Sequence, residues 1–319
     1  MSKAPSFAGR LRLPVIAAPM FLASGPDLVV ACCQAGILGC FPALNQRTSE
    51  GFAQWLEDIE ARLKPDDAPY GVNLIVHRTN PRVAADLEQV VGHRVPLVVT
   101  SLGAVRDVVE AVHSYGGRVF HDVVGARHAE KAVAAGVDGL VLVCAGAGGH
   151  GGALSPFALI PEIRAMFGGT IVLAGAISGG AQVAAARLMG ADLVYMGTRF
   201  LASRESVVSD TYKAMVVEAK AADIIYTPAI TGVAASFLRQ SIAAAGLDPD
   251  NLAQTRAIEM KKEGDSHAQA WKDIWSAGQG VGSITEVLPV SELVKRLEAE
   301  YRFALEMAPR LLAVAAGPA

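Results

Sequence analysis

A single histidine stands in the middle of a glycine-rich stretch, CAGAGGHGG, at residues 144–152. Five of its nine residues are glycine, which loses more conformational freedom on ordering than any other residue. Glycines in such number let a backbone approach a flat or anionic ligand closely, and His150 is then placed to act as a general base near neutral pH. The other interpretation is a flexible loop with a solvent-exposed histidine. The rest of the chain decides between the two.

Two further glycine-rich stretches follow predicted strands later in the chain. They are AGAISGG at 174–180 and MGTRFLASRES at 196–206. Gly175, Gly179 and Gly197 permit close backbone approach, and Thr198 adds a hydroxyl at the start of a short helix, where N–H groups and the helix dipole favour an anion. Either stretch alone is explained equally well as a turn. The two together predict one phosphate site.

Small and polar residues near the ends of other predicted strands suit a planar ring system. They are Ala18, Pro19 and Met20 on the first strand, Asn73 on the third, Thr100 and Ser101 on the fourth, and His121 and Asp122 on the fifth. Each polar residue is also explained as an isolated, satisfied group. Collected at one place, they match the donor and acceptor edge of a ring.

The elements that must position these residues are eight short apolar runs separated by helical patterns. The runs are LPVIAAPM (13–20), ILGCF (37–41), YGVNLI (70–75), VPLVVTS (95–101), RVFHDVV (118–124), GLVLVCA (139–145), TIVLAGAI (170–177) and ADLVYMG (191–197). Nearly continuous apolar strands indicate a parallel sheet covered on both faces. Gly136 and Gly190, each followed two residues later by aspartate, suit the helix ends before two of the strands. Eight βα units predict an α/β fold of the (β/α)8 TIM-barrel type, with its active site at the carboxyl ends of the strands.

Beyond about residue 225 the alternation of strands and helices is lost. We therefore predict a barrel formed by 1–224 and 285–319, with 225–284 as a helical cap segment on the substrate side. A helix follows the eighth strand from near Ser206, and a final helix is predicted at 291–308. This last helix could pack on the barrel or on a second subunit, so a homo-oligomer stays open.

Composition limits the function classes. The 319 residues carry a net charge of −3, which gives no reason to expect nucleic acid or an anionic membrane as a partner. The four cysteines lie among apolar neighbours without a CxxC pair, so we expect reduced, buried thiols and neither disulfides nor a metal site. Residues 1–12 lack the apolar core of a signal peptide, and no apolar run approaches bilayer length. A cytoplasmic protein is the expectation.

Five of these stretches together carry a family resemblance. Their types and order resemble the nitronate monooxygenases, formerly called 2-nitropropane dioxygenases. The stretches, in order over residues 13–206, are LPVIAAPM, GVN, CAGAGGHGG, AGAISGG and YMGTRFLASRES. They are also similar to the related flavin-dependent enoyl-acyl-carrier-protein reductases. IWSAGQGVG at 274–282 resembles a later segment of the family near the flavin. The set is specific to the superfamily and much less so to one reaction within it.

The resemblance implies an enzyme that binds FMN without a covalent link and oxidises alkyl nitronates or nitroalkanes with O2. His150 matches the histidine base of the family. The FMN-binding residues it implies are Ala18, Pro19, Met20, Asn73, Thr100, His121, Gly149, Gly175, Ala176, Gly179, Gly197, Thr198 and Gln279. This chain departs from some relatives, which carry a lysine near the flavin at the end of strand five, where it reads FHDVV.

Three other interpretations remain open. A reductase of the same fold would use NAD(P)H on a quinone or an enoyl thioester, and it would need no separate dinucleotide motif. A Schiff-base aldolase needs a pocket lysine, whereas Lys64, Lys131, Lys213 and Lys220 fall in helical patterns and no strand end carries one. The third is a small-molecule binding protein without catalysis.

Overall fold

A computed structural model describes residue 7 and residues 9–103, 106–252 and 271–315. Eight parallel strands close into a barrel, in which each strand pairs with the barrel strands before and after it and the last pairs with the first. The barrel strands are β1 (Val15–Ala17), β2 (Leu38–Pro42), β3 (Tyr70–Ile75), β4 (Leu97–Ser101), β5 (Arg118–Val123), β6 (Gly139–Val143), β8 (Thr170–Ala174) and β9 (Leu193–Met196). The predicted (β/α)8 barrel is confirmed, and every predicted strand overlaps one of these elements, although β2 extends one residue beyond its predicted run, to Pro42.

Helices follow the strands and cover the outside of the barrel. They are α1 (Pro26–Gln34), α2 (Ser49–Arg62), α3 (Val83–Gly92), α4 (Arg106–His113), α5 (Ala126–Ala135), α6 (Pro156–Met166) and α7 (Gly180–Leu188). The helix ends behave as the sequence predicts: Gly136 and Gly190 adopt φ angles of +91° and +103°, in the left-handed region that favours glycine. These turns return the chain to the next strand.

Side chains alternate between the barrel interior and the helix layer along each strand. On β4 and β5, Val99 and Phe120 pack inside the barrel, whereas Val98 and Val119 pack in the core between sheet and helices. The same alternation turns Ser101 and Asp122 inward and places Thr100 and His121 on the outward side. Both faces of the sheet are therefore mainly apolar, and polar side chains such as Ser101 and Asp122 lie near the carboxyl ends of the strands.

The chain after β9 differs from the expectation. A short helix, α8 (Thr198–Leu201), comes first, and α9 (Asp210–Glu218) begins only after Ser209, whose hydroxyl accepts a hydrogen bond from the Tyr212 amide. The segment expected to hold helices and loops then forms a second, three-stranded sheet. The segment contributes two strands, β10 (Ile224–Thr227) and β11 (Ala235–Leu238), and α10 (Arg239–Ala244) follows them. The third strand of the sheet is β7 (Gly149–His150), which comes from the chain between β6 and β8. Most of the charged stretch EMKKEGDSHAQAWKD lies outside the described residues.

The final helix, α11 (Val290–Ala315), packs on α7 and α1 of its own chain. Leu293 and Leu297 are buried in this contact, and the Glu300 carboxylate accepts a hydrogen bond of 2.6 Å from the Gly180 amide at the start of α7. Helix α11 therefore belongs to the barrel wall. Within the described residues, no helix has the length and apolar character needed to cross a bilayer.

Candidate active site

A cavity of about 1150 Å³ opens at the carboxyl ends of the barrel strands. Its wall includes the last residues of seven strands and the loops that follow them. Among the residues expected from the sequence to contact a ligand, the wall includes Ala18, Pro19, Met20, Asn73, His121, Gly149, His150, Gly175, Ala176, Gly197 and Thr198. The structure thus brings eleven of the fourteen predicted site residues to one cavity.

Three predicted site residues do not line this cavity. Thr100 is buried on the outward face of β4, where its hydroxyl lies 2.7 Å from Nδ1 of His121. The Gly179 amide donates to Oε1 of Gln182 inside the first turn of α7. Gln279 is held by its backbone, because its amide donates to the Gly146 carbonyl at 2.9 Å. The alternation of side chains along β4 explains why Thr100 faces away from the cavity, and the capping contact with Gln182 explains the position of Gly179.

His150 reaches the cavity from β7, not from a flexible loop. Its backbone pairs with Ala235 on β11, and Nε2 lies 3.4 Å from the Thr231 hydroxyl. The Trp271 ring system and the imidazole form an edge-to-face pair, with 5.3 Å between ring centroids. The His150 side chain is solvent-exposed at the cavity wall. The protein around it still removes part of its water, which lowers the pKa of His150 below its ordinary value, so the neutral ring that a general base requires predominates at neutral pH.

The glycines of the His150 loop allow two backbone segments to pack directly against each other. A Cβ on Gly148 would lie 3.0 Å from the Gly278 nitrogen, and a Cβ on Gly278 would lie 2.6 Å from the Gly146 oxygen. Gly146 and Gly149 also adopt φ angles of +84° and +70°, which disfavour residues with a side chain. These glycines hold the loop against residues 277–280, in addition to any approach to a ligand.

Thr198 connects this packed pair of segments to the loop after β9. Its hydroxyl oxygen accepts a hydrogen bond of 2.8 Å from the Gly278 amide, and the hydroxyl proton is left to donate to a ligand. Ala176, in the loop after β8, has a φ of +53°, a left-handed conformation that is uncommon for a residue other than glycine. Strained backbone of this kind tends to cluster at ligand sites.

A chain of hydrogen bonds runs across the cavity floor from β3 to β5. Nδ2 of Asn73 donates to the Val99 carbonyl and to the Ser101 hydroxyl oxygen, at 3.1 and 2.8 Å. Ser101 donates in turn to Oδ2 of Asp122 at 2.6 Å. Both amide protons of Asn73 are therefore used within the protein, and the side chain offers a ligand only its oxygen. The sequence had suggested an amide free to act in both directions.

Polar atoms without partners concentrate in the same cavity. Among the described residues, five buried side-chain polar atoms make no hydrogen bond, and three of these belong to residues that line the wall. They are Oδ1 of Asp122, the hydroxyl of Ser178 and the hydroxyl of Tyr195. Because a buried polar atom without a partner costs stability, such a cluster fits a polar ligand that completes it.

Several wall residues were missed by the sequence analysis. They are the aromatic residues Tyr195, Tyr212, Trp271 and Trp275 and the basic residues His128, Lys131 and Lys272. Tyr195 was detectable, because it follows Leu193 at inward spacing on the last barrel strand. Lys131 lies in α5 as expected, yet it reaches the wall, so the absence of lysine from strand ends does not exclude lysine from the pocket.

Comparison with known proteins identifies the family. The model of the nitronate monooxygenase family matches residues 8–300, which is nearly the whole chain. The chain belongs to the nitronate monooxygenase family. A nitronate monooxygenase of Paraburkholderia phytofirmans is 26% identical over 92% of this chain and 93% of its own length. Membership of the family makes the protein an oxidoreductase and supports a flavin cofactor.

Two further relatives show the breadth of the family. A nitroalkane oxidase structure from Streptomyces ansochromogenes superposes with a TM-score of 0.77 at 25% identity, covering 94% of this chain and 99% of that one. A protein of Mycobacterium tuberculosis, named as a 5-hydroxy-7a-methyl-1-oxo-octahydro-1H-indene-4-carboxyl-CoA dehydrogenase, is 28% identical over 72% of this chain. That match spans only 64% of the dehydrogenase.

Proposed function

We propose that this family member is an FMN-dependent nitronate monooxygenase, in which His150 is the catalytic base. The observation that carries the proposal is the placement of His150. A two-residue strand pairing brings an imidazole of lowered pKa to a cavity whose other walls carry glycine loops and unpartnered polar groups. The substrate class is alkyl nitronates or nitroalkanes, with O2 as the second substrate.

The residues of the cavity fit a flavin mononucleotide. Gly175, Ala176, Gly197 and Thr198 would hold the phosphate, since they form the loops after β8 and β9, where barrels of this type bind phosphates. The ring would lie among Ala18, Pro19, Met20, Asn73 and Gly149. These loops form one phosphate site, not the two that a dinucleotide needs, which favours FMN over FAD. When bound, the flavin supplies the redox chemistry that no side chain provides.

The contribution of the protein is proton transfer and orientation. In a neutral nitroalkane, the hydrogen on the carbon beside the nitro group is acidic. The Thr231 hydroxyl donates its proton to the Val233 carbonyl at 2.6 Å, so it can only accept from Nε2–H of His150. Nδ1 of the neutral ring is then the atom that would accept the substrate proton. The Thr231 hydroxyl, 3.4 Å from Nε2, and the Trp271 ring contact the imidazole and would orient it. A nitronate has already lost the proton, so it needs orientation in the cavity but no base.

We also propose that the segment 225–284 acts as the cap on the substrate side, from what its described residues, 225–252 and 271–284, contribute to the cavity. Trp271, Trp275, Val233 and Gly278 from this segment contribute to the cavity wall. Tyr212 in α9 packs against this segment. Its ring stacks on Trp275 with 4.8 Å between centroids, and its hydroxyl donates to the Ser276 carbonyl. Covering the mouth in this way would keep bulk water from the reacting atoms.

The size of the cavity favours a second candidate function. Its volume of about 1150 Å³ exceeds the ~300–1,000 Å³ of ordinary ligand pockets, which leaves room for a flavin and a substrate larger than a short nitroalkane. An NAD(P)H-dependent reductase of a quinone or an enoyl thioester would use such room. The similarity to a dehydrogenase of a CoA ester is compatible with this alternative.

One pair of assays separates the two functions. We expect the FMN-loaded protein to consume O2 with an alkyl nitronate, and to show anaerobic bleaching of its flavin by NADPH or NADH that is slow by comparison. An oxygen electrode and a stopped-flow spectrometer measure the two rates. Rapid bleaching by NAD(P)H, combined with no oxygen uptake on any nitronate or nitroalkane, would favour the reductase.

A further inference from the structure

In the side chain of Asp122, the protein supplies a hydrogen-bond donor for one carboxyl oxygen and none for the other. It lies at the inward-facing end of β5, on the cavity wall. Oδ2 accepts the hydrogen bond from Ser101, but Oδ1 is buried and has no partner. A buried carboxylate oxygen left in this way is costly, since an ionised carboxylate needs several donors to replace water.

The hydrogen-bond chain fixes which oxygen of Asp122 would carry a proton. The Val99 carbonyl can only accept, so the atom of Asn73 beside it must be the amide nitrogen. The same nitrogen therefore donates to Ser101, and the single hydroxyl proton of Ser101 is directed to Oδ2 of Asp122. While Ser101 donates to Oδ2, that oxygen is an acceptor, so a protonated Asp122 that keeps this hydrogen bond holds its proton on Oδ1, the oxygen without a partner.

The groups that face Asp122 inside the barrel give it no counter-charge. Cys40 on β2 and Tyr195 on β9 are its titratable neighbours, and burial raises the pKa of both well above their ordinary values. His128 and Lys131 line the same cavity from α5. Burial raises the pKa of Asp122 to about 6, against a smaller lowering by the Ser101 hydrogen bond.

We propose that Asp122 is a proton-bearing binding residue, whose Oδ1–H donates a hydrogen bond to an acceptor atom of the flavin ring. The inference rests on the proposed flavin site. The relay Asn73–Ser101–Asp122 positions this donor, and loss of the proton replaces the donor by an unpaired negative charge facing the ring. Flavin affinity is therefore highest when Asp122 is protonated and falls as the pH rises above about 6.

The test compares FMN affinity of the apoprotein at about pH 5.5 and pH 8, by quenching of flavin fluorescence. D122N is the decisive variant, because its amide accepts from Ser101 and donates to the cavity at every pH. The FMN phosphate itself titrates at about pH 6, which changes the affinity of the wild type and of D122N alike. The ratio of the two affinities therefore cancels this contribution. We expect the wild-type affinity, relative to that of D122N, to fall roughly five- to tenfold from pH 5.5 to pH 8, which corresponds to a pKa about one higher in the complex.

Two controls keep the result interpretable. D66N removes a carboxylate at the exposed position 66 and should keep the wild-type pH dependence. In the wild type alone, infrared difference spectra at about pH 6.5, between the pKa of Asp122 in the free protein and its higher value in the complex, should show a protonated carboxyl band growing when FMN binds, whatever the folding of D122N. The same pH dependence in D122N as in the wild type, or no such band, overturns the inference while flavin binding stands. Failure to bind FMN at any pH overturns the proposed function with it.

Discussion

His150→Asn is expected to lower turnover of a neutral nitroalkane by about 10²–10⁴, the usual contribution of a positioned general base. The variant should bind FMN normally, since the residues proposed for the phosphate lie after β8 and β9, whereas His150 lies on β7. Turnover of the pre-ionised nitronate should fall much less, because its proton is already gone. Steady-state oxygen uptake with the two forms of one substrate measures both effects.

The pH dependence provides a second check on the same residue. Because partial loss of water around the ring lowers the pKa of His150, its neutral form persists to a pH below the ordinary value for histidine. The nitroalkane rate should therefore fall only when the pH drops below that ordinary value. His128→Asn, at another histidine of the cavity wall, is the matched control and should change the rate little. Equal losses with nitroalkane and nitronate in His150→Asn would assign the residue to orientation instead.

Gly278→Ala is expected to separate the His150 loop from the segment at residues 277–280. The added methyl group would lie 2.6 Å from the Gly146 oxygen and 2.8 Å from the Gly148 nitrogen, both backbone atoms that cannot rotate away. We expect a loss of roughly 1–3 kcal/mol in the free energy of unfolding, typical of overpacking. The Thr198 hydrogen bond to the Gly278 amide should weaken as well, and FMN affinity with it.

Gly282→Ala is the matched control for this prediction. Gly282 lies in the same short helix, Gln279–Ser283, but its nearest contact for an added methyl group would be an ordinary 3.7 Å. Urea denaturation and FMN titration of both variants should show a large effect at position 278 and almost none at position 282. Equal, small effects would mean that the two segments can move apart without consequence.

The barrel could be predicted because its signals are local and repeated. Eight apolar runs separated by helical patterns fix the number of strands, and glycines such as Gly136 mark the turns between them. The positions of His150, Asn73 and Thr198 on one cavity followed from the rule that active sites form at the carboxyl ends of barrel strands. Predicting this part of the site requires only the order of the strands along the chain, which can be read from the sequence.

The contacts that depend on side-chain direction or on distant pairing could not be predicted. At the ends of β4 and β5 the sequence offered two adjacent polar residues each, and the FMN-binding set took Thr100 and His121. Ser101 and Asp122, one residue along, occupy the inward positions, and Thr100 does not line the cavity. A two-residue strand such as Gly149–His150 has no periodicity to detect, and its partner lies more than eighty residues later on β11. The sequence therefore suggested a loop where the structure has a paired strand.

Heat denaturation of the purified protein, followed by chromatography of the released chromophore, tests the central claim most directly. The account predicts a yellow protein that releases FMN and no dinucleotide, in a ratio near one per chain. Cavity residues such as Thr198 and Asn73 leave a hydroxyl proton and an amide oxygen for this ligand. A colourless protein that cannot be reconstituted with FMN would contradict the account, and so would one that releases only FAD.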